Sequence, residues 1–258
     1  MLKISPLFSG SHGNCTLIQS DKTNILLDLG YSYRAIVSAL SLRGLTPADI
    51  SAIVITHEHN DHVYALPMWT RRTATPVFSP CVIADTVQLK CYSQVYDIVG
   101  DFDIEDIHID IYECSHDSQV CYGYRFSKDG KFCACVTDTG CTTDALVEFL
   151  APCSVVMLES NHDVELLMNG EYSYPLKQRI LSKKGHLSNA QAAEVITKLV
   201  DGNVRQVILA HLSEQNNTRE LAFNSAVRTC AACGLVEGKD VKIYVADQYK
   251  NGITLWVD

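Results

Sequence analysis

His57, His59, Asp61 and His62 place three imidazoles and a carboxylate within six consecutive positions, directly after the apolar run Ala52-Ile53-Val54-Ile55. Mixed nitrogen and oxygen donors of this kind bind Zn²⁺, Mn²⁺ and related ions. Side chains alternate along extended chain, so His57 and His59 project to one side and can reach a single ion. Asp61 and His62 open the next segment and can serve a second. Two ions about 3.5–4 Å apart form the clamp used for displacement at phosphorus and for some amide hydrolysis. The plainer alternative is a polar loop rich in histidine.

A binuclear site needs more donors, and they stand just past short apolar runs. His116 lies in Cys114-Ser115-His116-Asp117, after the alternating run 107–111. Asp138 follows Phe132-Cys133-Ala134-Cys135-Val136, and His211 follows Val207-Ile208-Leu209-Ala210. Several strands ending at one rim can aim such residues at a common point. One polar residue there is an ordinary loop residue; three, with the opening motif, point to a metal centre.

In this order the residues resemble the metallo-β-lactamase-fold hydrolases, and the resemblance runs through nearly the whole chain. It implies one metal on His57, His59 and His116, a second on Asp61, His62 and His211, and Asp138 bridging them. Asp28, in Leu26-Leu27-Asp28-Leu29-Gly30, matches the family's buried Asp, which orients a ligand His rather than binding metal. Four further segments, Ser9 to Asn14, Glu159 to Asp163, Gly185 to Asn189 and His211 to Asn217, look like the YycJ (WalJ or VicX) branch, associated with exonuclease activity on duplex DNA ends. From these segments and the basic run beside them, Ser11, Asn14, His162, Lys184 and Ser188 are the expected substrate-binding residues, with His12 ranked below them. The family's mRNA-processing members carry an extra domain between the Asp138 and His211 motifs, for which the 72 intervening residues leave no room.

The expected function is thus a metal-dependent phosphodiesterase, a DNA exonuclease working by two-metal hydroxide attack, with Mn or Zn as the two divalent ions and Fe as a third candidate. Asp61 is the expected orienting group for the nucleophile. His186 precedes Ser188 and Gln191, which suit a capping box opening a helix. A His beside a helix N-terminus and near two cations can contact a phosphate oxygen or protonate a leaving oxygen. An RNA-processing endonuclease and a thioester or lactone hydrolase remain alternatives on the same ligand set.

The rest of the chain must position these groups. Its 258 residues are 47% hydrophobic, enough for one sizeable core, and no apolar run approaches 18 residues, so no membrane span is expected. Strand patterns at 2–8, 15–19, 24–28, 52–55, 107–113, 120–127, 131–136, 154–158, 206–209 and 241–245 alternate with helical ones at 32–43, 61–72, 80–90, 143–150, 189–200 and 217–230. The expectation is one α/β domain over 1–258. The resemblance makes it a four-layer αββα sandwich.

With 21 basic and 30 acidic residues the net charge is −9, which argues against a protein that coats nucleic acid over its whole surface. Lys177, Arg179, Lys183 and Lys184 form a local basic strip that either grips a few phosphates or is a solvated loop. Nucleic acid, DNA ahead of RNA, is the expected partner. Eleven cysteines spread through predicted strands and helices, without a secretory segment, suit a reducing cytoplasm. Cys230 and Cys233 read as helix-face thiols, and His108 as a solvent-facing strand residue.

Overall fold

Runs such as Val155-Val156-Met157-Leu158 carry apolar side chains on both faces, which suits strands covered on both sides. In the computed structural model, which describes residues 1–80, 83, 94–249 and 252–258, they are. One sheet has the order β14-β1-β2-β3-β4-β5-β6, built of β1 (Leu2–Phe8), β2 (Cys15–Gln19), β3 (Asn24–Leu27), β4 (Ala52–Val54), β5 (Val77–Ser79), β6 (Val95–Asp97) and β14 (Leu255–Val257). The other has the order β13-β12-β11-β10-β9-β8-β7, built of β7 (Phe102–Ile104), β8 (Ile107–Glu113), β9 (Tyr122–Lys128), β10 (Lys131–Val136), β11 (Val155–Glu159), β12 (Gln206–Ala210) and β13 (Lys242–Val245). In β11, Val155 and Met157 face the opposite sheet, while Val156 and Leu158 face helices.

Three apolar clusters hold the layers together. Ile36, Leu40, Leu66 and Trp69 of α1 (Tyr33–Ser41) and α3 (Leu66–Arg72) pack on Leu26 and Ile53 of the first sheet. Ile4, Ile25 and Val54 meet Tyr124, Phe126, Met157 and Ile208 between the sheets. Leu146, Val195, Ile196 and Ala222, from α4 (Asp144–Leu150), α7 (Asn189–Leu199) and α8 (Arg219–Ala232), cover the second sheet. The order is helix, sheet, sheet, helix, the expected αββα sandwich.

Each sheet is antiparallel on one side and parallel on the other. β3 to β6 run parallel, as do β10 to β13. Ligands in open α/β sheets gather at the carboxyl ends of such strands. Asp28 and His211 directly follow β3 and β12, Asp138 stands two residues past β10, and Glu159 ends β11.

Most strand patterns match the structure, β1, β2, β8 and β10 to the residue. The helix expected over 61–72 is instead two, α2 (Asn60–Val63) and α3, because Pro67 occupies the first turn of α3 and cannot continue a helix running into it. The one expected at 80–90 falls almost wholly outside the described residues. The short strands β5, β6, β7 and β14, and the short helices α5 (Val164–Asn169) and α6 (Tyr174–Ile180), went unread because so few residues show no period. His108 is exposed and meets Asp103, and the nine described cysteines are free thiols, with Cys133 and Cys135 buried and Cys233 exposed. No described helix is long and apolar enough to cross a membrane.

Tyr124 ties the second sheet to the histidine-rich loop of the first, its buried hydroxyl donating to the Ile55 carbonyl at 2.6 Å. Tyr124→Phe leaves that carbonyl unpaired, so denaturant unfolding is expected to show a loss of about 1–3 kcal/mol. An unchanged midpoint would remove this hydrogen bond from the account of how the sheets are joined.

Candidate metal centre

A strand that ends in a left-handed residue turns sharply at its sheet edge. Asp28, Asp138 and His211 do this, with φ of 61°, 57° and 55°. The conformation costs a non-glycine residue on the order of 1–3 kcal/mol and persists where surrounding contacts enforce it. Here they do. Leu29 N donates to the His62 carbonyl, Asn14 N to that of Asp61 and Gly30 N to that of Asn14, each at 2.8 Å. A Cβ on Gly30 would lie 1.6 Å from the Asp61 carbonyl oxygen, so only glycine permits this approach.

The histidines are oriented from behind. His62 Nδ1 meets Asp28 Oδ2 at 2.7 Å, His211 Nδ1 meets Glu159 Oε1 at 2.8 Å, His116 Nδ1 meets the Gly185 carbonyl at 3.2 Å and His57 Nδ1 meets Thr56 Oγ1 at 3.0 Å. An imidazole tied through Nδ1 presents Nε2 to whatever lies in front. His59 is the exception, its Nδ1 lying 3.3 Å from His116 Nε2.

Two donor sets form, with the ligand atoms of each within 4.8 Å of one another: His57, His59 and His116, and Asp61, His62 and His211. Asp138 lies between them, Oδ2 at 3.2 Å from His62 Nε2 and Oδ1 at 3.8 Å from His116 Nε2. His57 Nε2 and Asp138 Oδ2 are buried and left without a hydrogen bond. Buried polar atoms are rarely left so, and here both face donors that metal ions accept. These residues fit metal ions.

The electrostatics agree. Burial, with His62 beside it, holds His57 well below the usual histidine range, so its lone pair is free. Burial alone would lift the Asp138 carboxyl, yet His211 and His62 hold it well below the usual carboxylate range. Glu159 is likewise lowered to about 2, against its burial, by His186 and His211. His211 is pushed up to about 10, against its burial, by Asp138, Asp61 and Glu159.

Comparison with known proteins fits this geometry. Residues 9–84 match the metallo-beta-lactamase superfamily. The chain is 34% identical to exodeoxyribonuclease WalJ of Streptococcus pneumoniae over 250 residues, covering 94% of this chain and 93% of WalJ. It is 30% identical to exodeoxyribonuclease YycJ of Bacillus anthracis over 260 residues, 95% and 96% of the two chains. The chain belongs to the WalJ/YycJ family of the metallo-beta-lactamase superfamily. Its fold is also that of YhfI from Bacillus subtilis, with a TM-score of 0.74 at 15% identity and coverage of 100% and 99%.

The residues expected from sequence separate within this WalJ/YycJ-family site. The seven expected ligands converge, and Asp28 holds His62. Ser11 and His186 line a cavity of about 220 Å³ beside them, with His59, Asp61, Asp138 and His211. Asn14 is buried against the centre, Nδ2 at 3.1 Å from His62 Nε2, where it braces the metal loop. Like Asn14, the other three expected substrate residues lie outside the cavity lining. Ser188 is engaged in the capping box of α7 with Gln191, Lys184 is exposed, and His162 is buried with both ring nitrogens unpartnered and its pKa lowered by burial to about 4.

Glu159 went unrecognised in the sequence. It accepts from both His211 and His186, at 2.8 and 2.9 Å, and its strand-end position was the available signal. Arg179, paired with Asp117, and Tyr172 also line the cavity.

Glu159→Gln keeps the shape and removes the charge that orients His211. Metal affinity is expected to fall by about 10–100-fold in a chelator-competition titration. Unchanged affinity would make Glu159 a packing residue only.

Proposed function

We propose that this chain is a binuclear metal-dependent phosphodiesterase that digests DNA from duplex ends. The observation that carries the reading is Asp138 standing between two complete histidine-containing donor sets. Kinship with exodeoxyribonucleases WalJ and YycJ, over more than nine-tenths of the chain, supports nucleic acid as substrate and DNA ahead of RNA. The cavity wall sets Arg179 and His186 beside the donor sets, positive groups that suit a phosphodiester better than an uncharged thioester.

His57, His59 and His116 would hold one ion and Asp61, His62 and His211 the other, with Asp138 shared; Mn²⁺ or Zn²⁺ suits the set, and Fe is a third candidate. Two divalent ions, when bound, supply an activated water near neutral pH and neutralise charge on the phosphate oxygens. Asp61, whose side chain is a quarter exposed, can accept a hydrogen bond from the attacking water. His186 meets Glu159 Oε1 through Nδ1 at 2.9 Å. Burial disfavours the charged ring, but Glu159 and Asp138 outweigh it and raise its pKa above the usual histidine value. A protonated His186 can donate to a phosphate oxygen or to the departing sugar oxygen. Arg179 offers a second positive group at the cavity wall. We take 1–258 as one domain and the cytoplasm as its setting, which the free thiols suit.

End-labelled duplex DNA, single-stranded DNA and RNA, each incubated with Mn²⁺, Zn²⁺ or EDTA, test this. Nucleotide release from duplex ends is expected with metal and not with EDTA. Asp61→Ala should abolish it, and His186→Ala should lower kcat about 100-fold. Release that survives Asp61→Ala, or turnover confined to thioesters, would contradict the reading.

A further inference from the structure

The cavity above the donor sets, about 220 Å³, is smaller than the roughly 300–1,000 Å³ of ordinary small-molecule sites. It has room for a phosphodiester, and the attached nucleosides must be held elsewhere. Beside it lies a groove of about 470 Å³, walled by Tyr31, Tyr64, Tyr249 and His12, with Ser32 and Asn60 at its sides. Neighbouring residues line the two recesses. Ser11 lines the cavity and His12 the groove; Asp61 lines the cavity and Asn60 the groove. Gly30, on the groove, abuts the Asp61 carbonyl.

The groove's rings are large, and two are left in water: Tyr64 is 59% exposed and Tyr249 51%. Two of the three are also braced. Tyr31 stacks on Phe8 with centroids 4.4 Å apart and planes 6° from parallel. The Tyr249 hydroxyl donates to Glu214, whose other carboxylate oxygen meets His12 Nε2. Held rings flanking a groove form a stacking platform that loses little freedom on binding. Every nucleobase has a π-face, so such a platform takes unpaired bases with little regard to sequence. His12 and Asn60 add polar atoms for base edges or sugar.

We propose that this aromatic groove is a nucleobase subsite, receiving the unpaired bases of the strand whose phosphodiester lies over the donor sets. The inference rests on the phosphodiesterase reading and adds where the substrate's bases go. A base cannot lie on a tyrosine while it is paired and stacked in a duplex. The end must therefore open before it is cut, which is easiest at a mismatched or frayed terminus.

The Tyr64→Ala/Tyr249→Ala pair tests this, with Tyr64→Phe/Tyr249→Phe as the pair that keeps the rings. Three substrates serve: a duplex with a four-nucleotide single-stranded overhang, the same duplex with an abasic overhang, and a fluorescent phosphorothioate oligothymidylate read by anisotropy. For the alanine pair, KM on the normal overhang and Kd for the oligothymidylate are expected to rise by about 10-fold or more, with kcat moving less. The phenylalanine pair restores affinity. On abasic ends the difference between wild type and the alanine pair should disappear. Equal affinity in wild type and the alanine pair, or equal loss in both pairs, overturns the subsite. If wild-type protein digests no nucleic acid, the phosphodiesterase reading falls, and the anisotropy measurement alone decides the groove.

Discussion

A carboxylate taken out of water must be met by positive charge, and four of them, Asp28, Asp61, Asp138 and Glu159, converge where the two sheets open to solvent. Three are buried and the fourth is largely covered. The chain meets them with imidazoles rather than with lysine or arginine. An imidazole can carry a proton or offer a lone pair to a metal, so protons and metal ions compete for the same atoms. Asp28 and Glu159 stand behind His62 and His211, while Asp61 stands in front of both and Asp138 in front of His62. The arrangement gathers donors at the front and fixes them from the back.

The fold makes that arrangement possible because both sheets end their parallel strands at the same rim. Five strand ends contribute, and three turn through left-handed residues that would be unfavourable in isolation. At Asp28 the strain is met by backbone hydrogen bonds between the 28–30 turn and the metal loop and by the close approach at Gly30, while Asp138 N donates to Glu159 and His211 N to the Ser9 hydroxyl. Rigidity of this kind keeps two donor sets in register across a sandwich whose interior is otherwise apolar. The 28–30 turn, which abuts the Asp61 carbonyl, also places the tyrosine groove next to the cavity.

Much of this was legible because the ligands are punctuation. His57, His116, Asp138 and His211 each follow an apolar run whose period is plain, and the run and the polar residue together signal a strand aimed at a rim. Asp28 was readable for the same reason. Pairings across sequence were not. Glu159 reaches His186 and His211 over 27 and 52 residues, and its segment, branch-like as it is, does not announce those partners. Ser188 shows the opposite hazard: its capping signature was correctly seen, and that role occupies its hydroxyl at the helix start. The tyrosines of the groove come from three distant segments, with no spacing to announce them.

The central claim is a pair of neighbouring ions sharing Asp138, and anomalous diffraction from crystals grown with Mn²⁺ or Zn²⁺ tests it most directly. Two peaks about 3.5–4 Å apart are expected, one bonded to His57, His59 and His116 and the other to Asp61, His62 and His211. A single peak, or peaks away from these side chains, would contradict the account.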